Sequence, residues 1–389
     1  MLDNDALRRA LDRLAERWER SANPTFRLFE DDRVAALDLG DRPLVLIGAT
    51  PYARAFVAQA GALEIIAICD NNAAGKKLGP FDIVAESALA DLKQQHPRLL
   101  AAMMVESKGA AAHFGAYCDA WHIEWLGLIH AFRRAGFAYP AVQAKFYDRL
   151  VESAWGRRDR WQSFAGALDD ELSRGVFYSV LLFRLTGERR YLEAAHLASA
   201  AAGEPAWLRP TTTHVYVDGG AYDGDTVVKF IEKFGPAYDQ IYAFEPDEAN
   251  FALLEERTKH LPGIQRFRQG LYSDRRTLRF AAGNDQGSYV SEGGDIAIEV
   301  TAIDQVVDRP VTAIKLDVEG SEASALSGGA SQISRNRPGL CISAYHQTDD
   351  LFDLPAQIAS IAPGYKLSLR QFTPWLYDTN LYCHQGARP

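Results

Sequence analysis

The segment VYVDGGAYDGDTVVKFIEKFG, residues 215–235, constrains the fold of this chain more than any other. A strand rich in β-branched residues ends at Asp218, a glycine-rich turn follows, and a helix begins near Asp225. In open parallel sheets, such a loop brings a cofactor against the N-terminus of the helix. The segment therefore predicts a Rossmann-like α/β domain with a cofactor site. We expect this part of the site to consist of Asp218, Gly219, Gly220, Tyr222, Gly224, Asp225 and Thr226.

The charge of this loop indicates which cofactor it suits. A dinucleotide would bring its pyrophosphate beside Asp218, Asp223 and Asp225, and these carboxylates would repel it. S-adenosylmethionine (SAM) brings an ammonium group and a sulfonium, both cationic, beside a single carboxylate. The loop therefore favours SAM over a dinucleotide. The alternative is that the glycines form only a turn.

Acidic residues also stand at the ends of two later strands. QIYAFEP contains Glu245, 25 residues after Gly220, where an acid can accept hydrogen bonds from both ribose hydroxyls. TAIKLDVEGSE runs out into Asp317 and Glu319. Ligands of open parallel sheets bind beyond the carboxyl ends of the strands, so these acids are predicted to face one crevice. Helix capping is the alternative for each acid. Further candidates for cofactor contacts are Glu245, Pro246, Asp317, Tyr272 and Ser273.

The strand GLCISAYH ends in His346, which is the candidate catalytic base. Its ordinary pKa of about 6.5 suits proton transfer near neutral pH. Asp317 or Glu319 would orient the imidazole. The same three residues could instead hold a divalent metal ion, which would lower the pKa of a bound hydroxyl directly. A histidine that is merely hydrogen-bonded at the strand end remains the third reading.

The C-terminal half resembles the FkbM family of methyltransferases. The similarity covers roughly residues 214 to 385 and is carried by VDGGAYDGDT, AFEPD, IKLDVEGSE, SAYHQTDDLFDLP and YKLSLRQFTPWLYDTNLY. It implies a class I methyltransferase fold whose last strands form an antiparallel hairpin, with SAM as the methyl donor. It also implies an acceptor hydroxyl on a sugar or a polyketide-like secondary metabolite. Gln371 departs from related sequences, which often have a histidine after the arginine.

The first half of the chain alternates strands and helices and predicts a second, smaller Rossmann-like domain. PLVLIGAT, EIIAICDNN, AAMMVES and IEWLGLIHA are the expected strands. The loop after Gly48 is imperfect, because Thr50 and Ala53 stand where a dinucleotide loop needs glycine. Asp70 occupies the ribose-reading position. The domain is therefore either structural or used for oligomerisation, or it binds a nucleotide or sugar. A nicotinamide-dependent oxidoreductase or nucleotide-sugar-binding enzyme that uses this domain, and a non-catalytic binding protein, remain the alternative functions.

Size and composition set the remaining expectations. A chain of 389 residues accommodates a Rossmann-like domain over residues 1–138, a helical connector over 139–212 and the methyltransferase domain over 213–389. The net charge of −9 argues against nucleic acid as a partner. The sequence contains no apolar run of about 18 residues and no apolar signal-peptide core, so we expect a cytoplasmic protein.

Overall fold

The computed structural model describes most of the chain, in two compact units. The described residues are 2–19, 39, 40, 42–105, 108–137, 141–208, 213–235, 238–281, 289, 290 and 296–385. The N-terminal unit comprises Arg8–Gly156 and Leu182–Glu188, and the C-terminal unit comprises Met1–Leu7, Arg157–Leu181 and Arg189–Pro389. The three-part division at residues 138 and 212 stays a prediction.

Strands and helices alternate in the first half of the chain, as expected. They are α1 (Asn4–Glu19), β1 (Leu44–Ile47), α2 (Pro51–Gln59), β2 (Ile65–Cys69), β3 (Lys77–Leu78), β4 (Phe81–Val84), α3 (Leu89–Gln95), β5 (Leu100–Met103), α4 (Lys108–Ala120), β6 (Glu124–Leu126) and α5 (Leu128–Ala135). The sheet order is β3-β4-β2-β1-β5-β6, and only β3 runs antiparallel to its neighbour. This is the smaller Rossmann-like domain that the alternation predicts.

The apolar strands of this sheet are buried on both faces. Along β1, Leu44 and Leu46 pack into one hydrophobic cluster, whereas Val45 and Ile47 pack into another. A parallel sheet covered on both faces explains why these strands read as continuous apolar runs. The predicted strand IEWLGLIHA is wrong in its second half, because Gly127 caps a helix that begins at Leu128.

The expected connector is helical. It contains α6 (Ala141–Gly156), α7 (Trp161–Ala167), α8 (Glu171–Thr186) and α9 (Arg189–Ala202). The residues between α7 and α8 contact the chain near its C-terminus. The amide of Asp169 donates to the carbonyl of Leu367 at 2.8 Å, and Leu168 forms an isolated parallel bridge to Leu367. The connector thereby covers part of what would be a free strand edge.

The C-terminal half contains the larger sheet. Its elements are β7 (His214–Gly219), α10 (Asp225–Phe234), β8 (Tyr238–Phe244), α11 (Glu248–Thr258), β9 (Ile264–Phe267), β10 (Gly270–Leu271), β11 (Arg276–Ala281), β12 (Tyr289–Val290), β13 (Ile296–Thr301), α12 (Ile303–Val306), β14 (Ala313–Leu316), α13 (Glu322–Gly328), α14 (Ala330–Asn336), β15 (Gly339–Ser343), α15 (Asp350–Ile361), β16 (Lys366–Gln371) and β17 (Thr379–His384).

Seven of these strands form one sheet in the order β9-β8-β7-β14-β15-β17-β16. The first five are parallel, whereas β17 runs antiparallel to both β15 and β16. The expected antiparallel hairpin of the last two strands is therefore confirmed. Four further strands form a smaller sheet of order β10-β13-β11-β12. Among the described helices, none combines the length and the apolar composition needed to cross a bilayer.

Candidate functional site

The glycine loop after β7 lies directly against the end of β14. Gly220 has a φ of +72°, and a Cβ atom built on it would lie 1.8 Å from the carbonyl oxygen of Asp317. Only glycine fits such a position, because it tolerates a left-handed φ and adds no atom to the contact. The amide of Asp317 also donates to the carbonyl of Gly219 at 3.0 Å. The sheet thus holds the loop at its carboxyl edge.

Asp218 lies beneath this loop rather than at its surface. Its carboxylate is fully buried and accepts a hydrogen bond from the Thr226 hydroxyl at 2.5 Å. The ammonium group of Lys315 lies 3.3 Å from the other carboxylate oxygen and donates to the carbonyl of Gly220 at 2.7 Å. Burial raises the pKa of Asp218, and the nearby Lys315 opposes this rise. Asp218 and Lys315 therefore stabilise the loop from below.

Sequence reasoning missed Lys315. Burial lowers the pKa of Lys315, but the carboxylates of Asp218 and Asp317 outweigh this effect and raise it. The signal available in the sequence was a lysine inside an apolar strand. In the structure, Lys315 pairs in register with Asp218 across β14 and β7. A buried charge in such a strand needs an opposite charge nearby.

Glu245, at the end of β8, is nearly buried and faces the same loop. Its two carboxylate oxygens accept hydrogen bonds from the backbone amides of Tyr222 at 3.0 Å and of Asp247 at 2.9 Å. Burial raises the pKa of Glu245, and these two hydrogen bonds oppose the rise. Each oxygen can accept further hydrogen bonds. Pro246 follows directly, and the side chain of Tyr222 is exposed.

The other acids of the loop have cationic partners. The Asp225 carboxylate lies 2.6 Å from the Lys229 ammonium, and Asp223 forms two 2.7 Å contacts with the guanidinium of Arg257. Gly224, with a φ of +88°, directly precedes α10. These ion pairs offset much of the negative charge that the sequence places in the loop.

Tyr272 and Ser273 follow β10 in the smaller sheet. The amide of Tyr272 donates to the carbonyl of Thr301 at 2.8 Å. The preceding residue, Leu271, lies against Gly219, where an added Cβ atom would come within 2.7 Å of its side chain. The end of β10 is therefore adjacent to the end of β7.

His346 lies among three carboxylates just beyond β15. Its Nδ1 is 2.8 Å from Oε1 of Glu322, and its Nε2 is 3.6 Å from both Oδ1 of Asp317 and Oε2 of Glu319. The Tyr345 hydroxyl donates to Asp317 at 3.2 Å. The structure thus brings together the three residues singled out by sequence, and it adds Glu322 as the carboxylate nearest the imidazole.

Glu322 is fully buried at the start of α13. Its Oε1 accepts the backbone amide of Val318 at 2.9 Å as well as facing His346. Its Oε2 is buried without a hydrogen-bond partner among the described residues. This acid folds back on the turn that precedes its own helix, so it faces the site although it follows the strand end by several residues.

The imidazole of His346 is held in its protonated form at neutral pH. Burial alone would lower its pKa, but the hydrogen bond and the negative charge of Glu322, with Asp317 and Glu319, raise the pKa of His346 to about 9. Both ring nitrogens then carry protons, one directed to Glu322. The site is consequently a buried imidazolium surrounded by carboxylates.

This raised pKa predicts a pH dependence of stability. The contribution of His346 should be complete below its unfolded pKa of 6.5 and lost as the pH rises through about 9. The loss is on the order of 3 kcal/mol, since one pKa unit corresponds to about 1.4 kcal/mol. Urea unfolding at pH 6.5 and pH 9.5 should show this loss in the native protein and not in His346→Asn. Equal pH dependence in both proteins would contradict it.

Ligand atoms of Asp317, Glu322 and His346 lie within 4.8 Å of one another, which is a spacing that a metal ion can bridge. The partnerless Oε2 of Glu322 fits a metal ligand. Oε1 of Glu322 and Nδ1 of His346, however, are hydrogen-bonded to each other. The group as it stands is thus a carboxylate–imidazole pair.

Known proteins resemble this chain in sequence and in fold. Residues 218–366 match the family described as Methyltransferase FkbM domain. The chain contains an FkbM methyltransferase domain. The order of its seven strands is that of the class I methyltransferase fold, as the resemblance implies. No protein in the curated collection matches the chain.

Solved structures also resemble this chain. A methyltransferase FkbM from Methylobacillus flagellatus KT is 26% identical, covers 98% of this chain and 99% of its own, and has a TM-score of 0.74. A putative methyltransferase from Streptococcus mutans in complex with SAH is 13% identical, covers 45% of this chain and 89% of its own, and has a TM-score of 0.31. The first match extends over both halves of the chain, so the FkbM domain and the preceding sequence recur together there.

In the first glycine loop, which lies outside the FkbM domain, a backbone amide is already hydrogen-bonded to an acidic side chain of the protein. Asp70 accepts the amide of Ala49 at 2.8 Å and the amide of Asn72 at 2.9 Å. The Thr50 hydroxyl donates to the carbonyl of Met104 at 2.5 Å. A carboxylate therefore lies where a phosphate would need a free amide. This geometry gives no support to a dinucleotide in the N-terminal unit.

Proposed function

We propose that the FkbM domain binds SAM beyond the carboxyl ends of β7, β8 and β14 and methylates a hydroxyl of a small molecule. The acceptor would be a sugar or a polyketide-like secondary metabolite. The observation that carries this proposal is the meeting of three features at one sheet edge: the Gly220 loop, the carboxylate of Glu245, and His346 with its carboxylates. Bound there, SAM supplies a methyl group on a positively charged sulfur.

Glu245 is suited to hold the ribose of the donor. The amides of Tyr222 and Asp247 fix its carboxylate at the end of β8, and its remaining lone pairs can accept two hydroxyl groups. The nearby Gly220 loop keeps a donor close to backbone without interference from a side chain. Asp317, at the end of β14, adds negative charge that favours a cationic ligand.

His346 is suited to remove the proton of the acceptor hydroxyl. As the new oxygen–carbon bond forms and the bond between the methyl carbon and the donor's sulfur breaks, the hydroxyl proton would pass to Nε2, while Glu322 holds Nδ1 and stabilises the resulting imidazolium. Because the pKa of His346 is about 9 in the free protein, the imidazole first has to lose its resting proton. A cationic donor nearby favours that loss, since like charges lower the pKa of a base.

A divalent ion held by Asp317, Glu322 and His346, or by the predicted set with Glu319, would be a different way to activate the hydroxyl. It would act by lowering the pKa of the hydroxyl oxygen. The hydrogen bond between Nδ1 of His346 and Glu322 leaves Nε2 as the ring atom that would either take up the proton or bind the metal ion.

Calorimetry tests the donor site. We expect native protein to bind S-adenosylhomocysteine with a Kd in the micromolar range, on the order of −7 to −8 kcal/mol. Glu245→Ala should weaken the binding of S-adenosylhomocysteine by about 1.5–3 kcal/mol, the scale of hydrogen bonds to a charged group. The stability of the variant should also fall, because the amides of Tyr222 and Asp247 lose their acceptor.

Two controls separate these effects. Glu245→Gln keeps one acceptor oxygen and should bind more tightly than Glu245→Ala. Glu248→Ala removes an acid in the first turn of the neighbouring α11, whose surface ion pair with Arg268 spans 3.2 Å, and should leave affinity unchanged. No binding of S-adenosylhomocysteine or SAM by the native protein would reject the proposed function. Native-like affinity in Glu245→Ala would place the ribose elsewhere.

A further inference from the structure

A short loop, residues 372–378, joins β16 to β17 at the sheet edge where His346 lies. The strand that follows the loop is bonded to the strand that leads to His346, because the amide of Ala344 donates to the carbonyl of Thr379 at 2.8 Å. The Tyr377 ring packs edge-on against the Tyr345 ring at 6.0 Å, and the Tyr345 ring lies 4.1 Å from the imidazole of His346. The loop therefore borders the proposed site of methyl transfer.

Asp378, at the end of the loop, shares the electrostatic environment of that site. Its φ is +62°, a left-handed conformation that is uncommon outside glycine, although aspartate adopts it more readily than most residues. Burial and the negative charge of Asp317 raise the pKa of Asp378, and the imidazole of His346 opposes the rise. Asp378 directly precedes Thr379, whose carbonyl accepts the amide of Ala344, two residues before His346. Some part of the structure has to hold the loop in this conformation.

The side chain of Gln371 provides that hold. It is fully buried, and its amide nitrogen lies within hydrogen-bond distance of three loop carbonyls that share its two hydrogens, those of Thr373 at 2.9 Å, Trp375 at 2.7 Å and Tyr377 at 2.7 Å. Its Oε1 accepts the Thr379 hydroxyl at 2.5 Å. One carboxamide therefore ties the middle and the end of the loop to the first residue of the returning strand.

Other contacts reinforce the loop from its margins. The Thr373 hydroxyl donates to the carbonyl of Tyr377 at 2.6 Å, and the Arg189 guanidinium stacks over the Trp375 ring at 3.7 Å. Gln371 differs from these in reaching three carbonyls at once from a buried position. Removal of its donors would leave those carbonyls without a shared partner, which costs more than the loss of one surface contact.

We propose that Gln371 is a positioning residue that holds the loop 372–378 in the shape that presents Tyr377 and Asp378 to the methyl acceptor, and thereby sets acceptor selectivity. The claim about acceptor selectivity rests on the proposed function. An aromatic ring beside a carboxylate suits a hydroxylated ring that stacks on the tyrosine and donates a hydrogen bond to Asp378. Gln371 itself, being buried beneath the loop, acts only through it.

The test compares Gln371→Glu and Gln371→His with Ser199→Ala. Glutamate has the shape of glutamine but only acceptor atoms, so it faces the loop carbonyls without a donor, whereas histidine retains a ring N–H. Ser199 accepts the backbone amide of Gln371 at 3.0 Å, so Ser199→Ala disturbs the same residue and leaves the carboxamide in place. The full-length protein is used throughout.

Hydrogen exchange measures the loop directly. We expect amides of residues 372–378 to exchange about tenfold faster or more in Gln371→Glu, less so in Gln371→His, and as in the native protein in Ser199→Ala. The Kd for S-adenosylhomocysteine should stay within about twofold of native, because the donor residues lie on other strands. Unchanged exchange in both Gln371 variants would overturn the proposal.

Kinetics with SAM and two acceptor probes, methyl α-glucoside and catechol, measure selectivity. We expect the acceptor KM in Gln371→Glu to rise about tenfold or more, with a changed ratio of kcat/KM between the probes and little change in Ser199→Ala. A loosened loop with native KM and native selectivity would overturn the role in acceptor recognition. Failure of the native protein to bind the donor would reject the proposed function instead, and the exchange result would still decide whether Gln371 holds the loop.

Discussion

Replacing His346 with alanine should lower methyl transfer about 10²–10⁴-fold, the range that a positioned general base contributes. The proton of the acceptor hydroxyl would then have no imidazole to receive it, while Glu245 and the Gly220 loop would still hold the donor. The Kd for S-adenosylhomocysteine should therefore stay close to native. Initial rates with tritiated SAM and calorimetry on the same protein samples measure the two quantities.

Three comparisons make this result specific. His346→Asn offers an amide donor to Glu322, so it should fold better than His346→Ala and be equally slow. His260→Ala, at an exposed histidine that follows α11, should keep native activity. Addition of EDTA should leave the native rate unchanged if His346 acts as the base. Loss of activity with EDTA that Mg²⁺ or Mn²⁺ restores would favour the metal, and full activity in His346→Ala would contradict both mechanisms.

Gly220→Ala should destabilise the FkbM domain by about 2–5 kcal/mol and abolish donor binding. A left-handed φ costs an ordinary residue about 1–2 kcal/mol, and forcing an extra carbon into a packed position costs about 1–3 kcal/mol more. The added carbon would clash with the backbone carbonyl of Asp317, which cannot move without shifting the end of β14. Urea unfolding and calorimetry with S-adenosylhomocysteine measure both effects.

Gly203→Ala is the matched control for this substitution. Gly203 has a φ of +71°, almost the same as that of Gly220, but nothing lies within 4 Å of the Cβ atom that alanine would add. Gly203→Ala should therefore lower the free energy of unfolding only by the cost of the left-handed conformation, about 1–2 kcal/mol. Donor binding should be retained. Equal costs at the two positions would mean that the contact with Asp317 contributes nothing.

The sequence alone could predict which residues meet at the sheet edge, because strand ends of a parallel sheet are read directly from apolar runs. Asp218, Glu245, Asp317 and His346 each end or follow such a run, and topology brings them together. The alternation of strands and helices likewise predicts both α/β domains. Period and spacing suffice for these features because each is local.

The partners of these residues could not be predicted in the same way. Glu322 faces His346 only because the turn after β14 folds its side chain back, and Lys315 faces Asp218 only through the register of two strands that are distant in sequence. The ion pairs of Asp223 with Arg257 and of Asp225 with Lys229 change the charge that the loop presents. Gln371 differs from the histidine that related sequences often have, but the sequence does not indicate that its side chain holds the loop 372–378.

The connector's contact with β16 has a consequence for solubility. An uncovered strand edge presents unpaired amides and carbonyls to other chains and invites edge-to-edge aggregation. Here the amide of Asp169 bonds to Leu367, the Ser173 hydroxyl accepts the amide of Leu369, and Arg370 lies 3.3 Å from Asp170. Shortened versions of the enzyme that begin at residue 213 would expose this edge. Those that begin at residue 157 would keep it covered, so we expect the segment before the sheet to protect the protein from self-association.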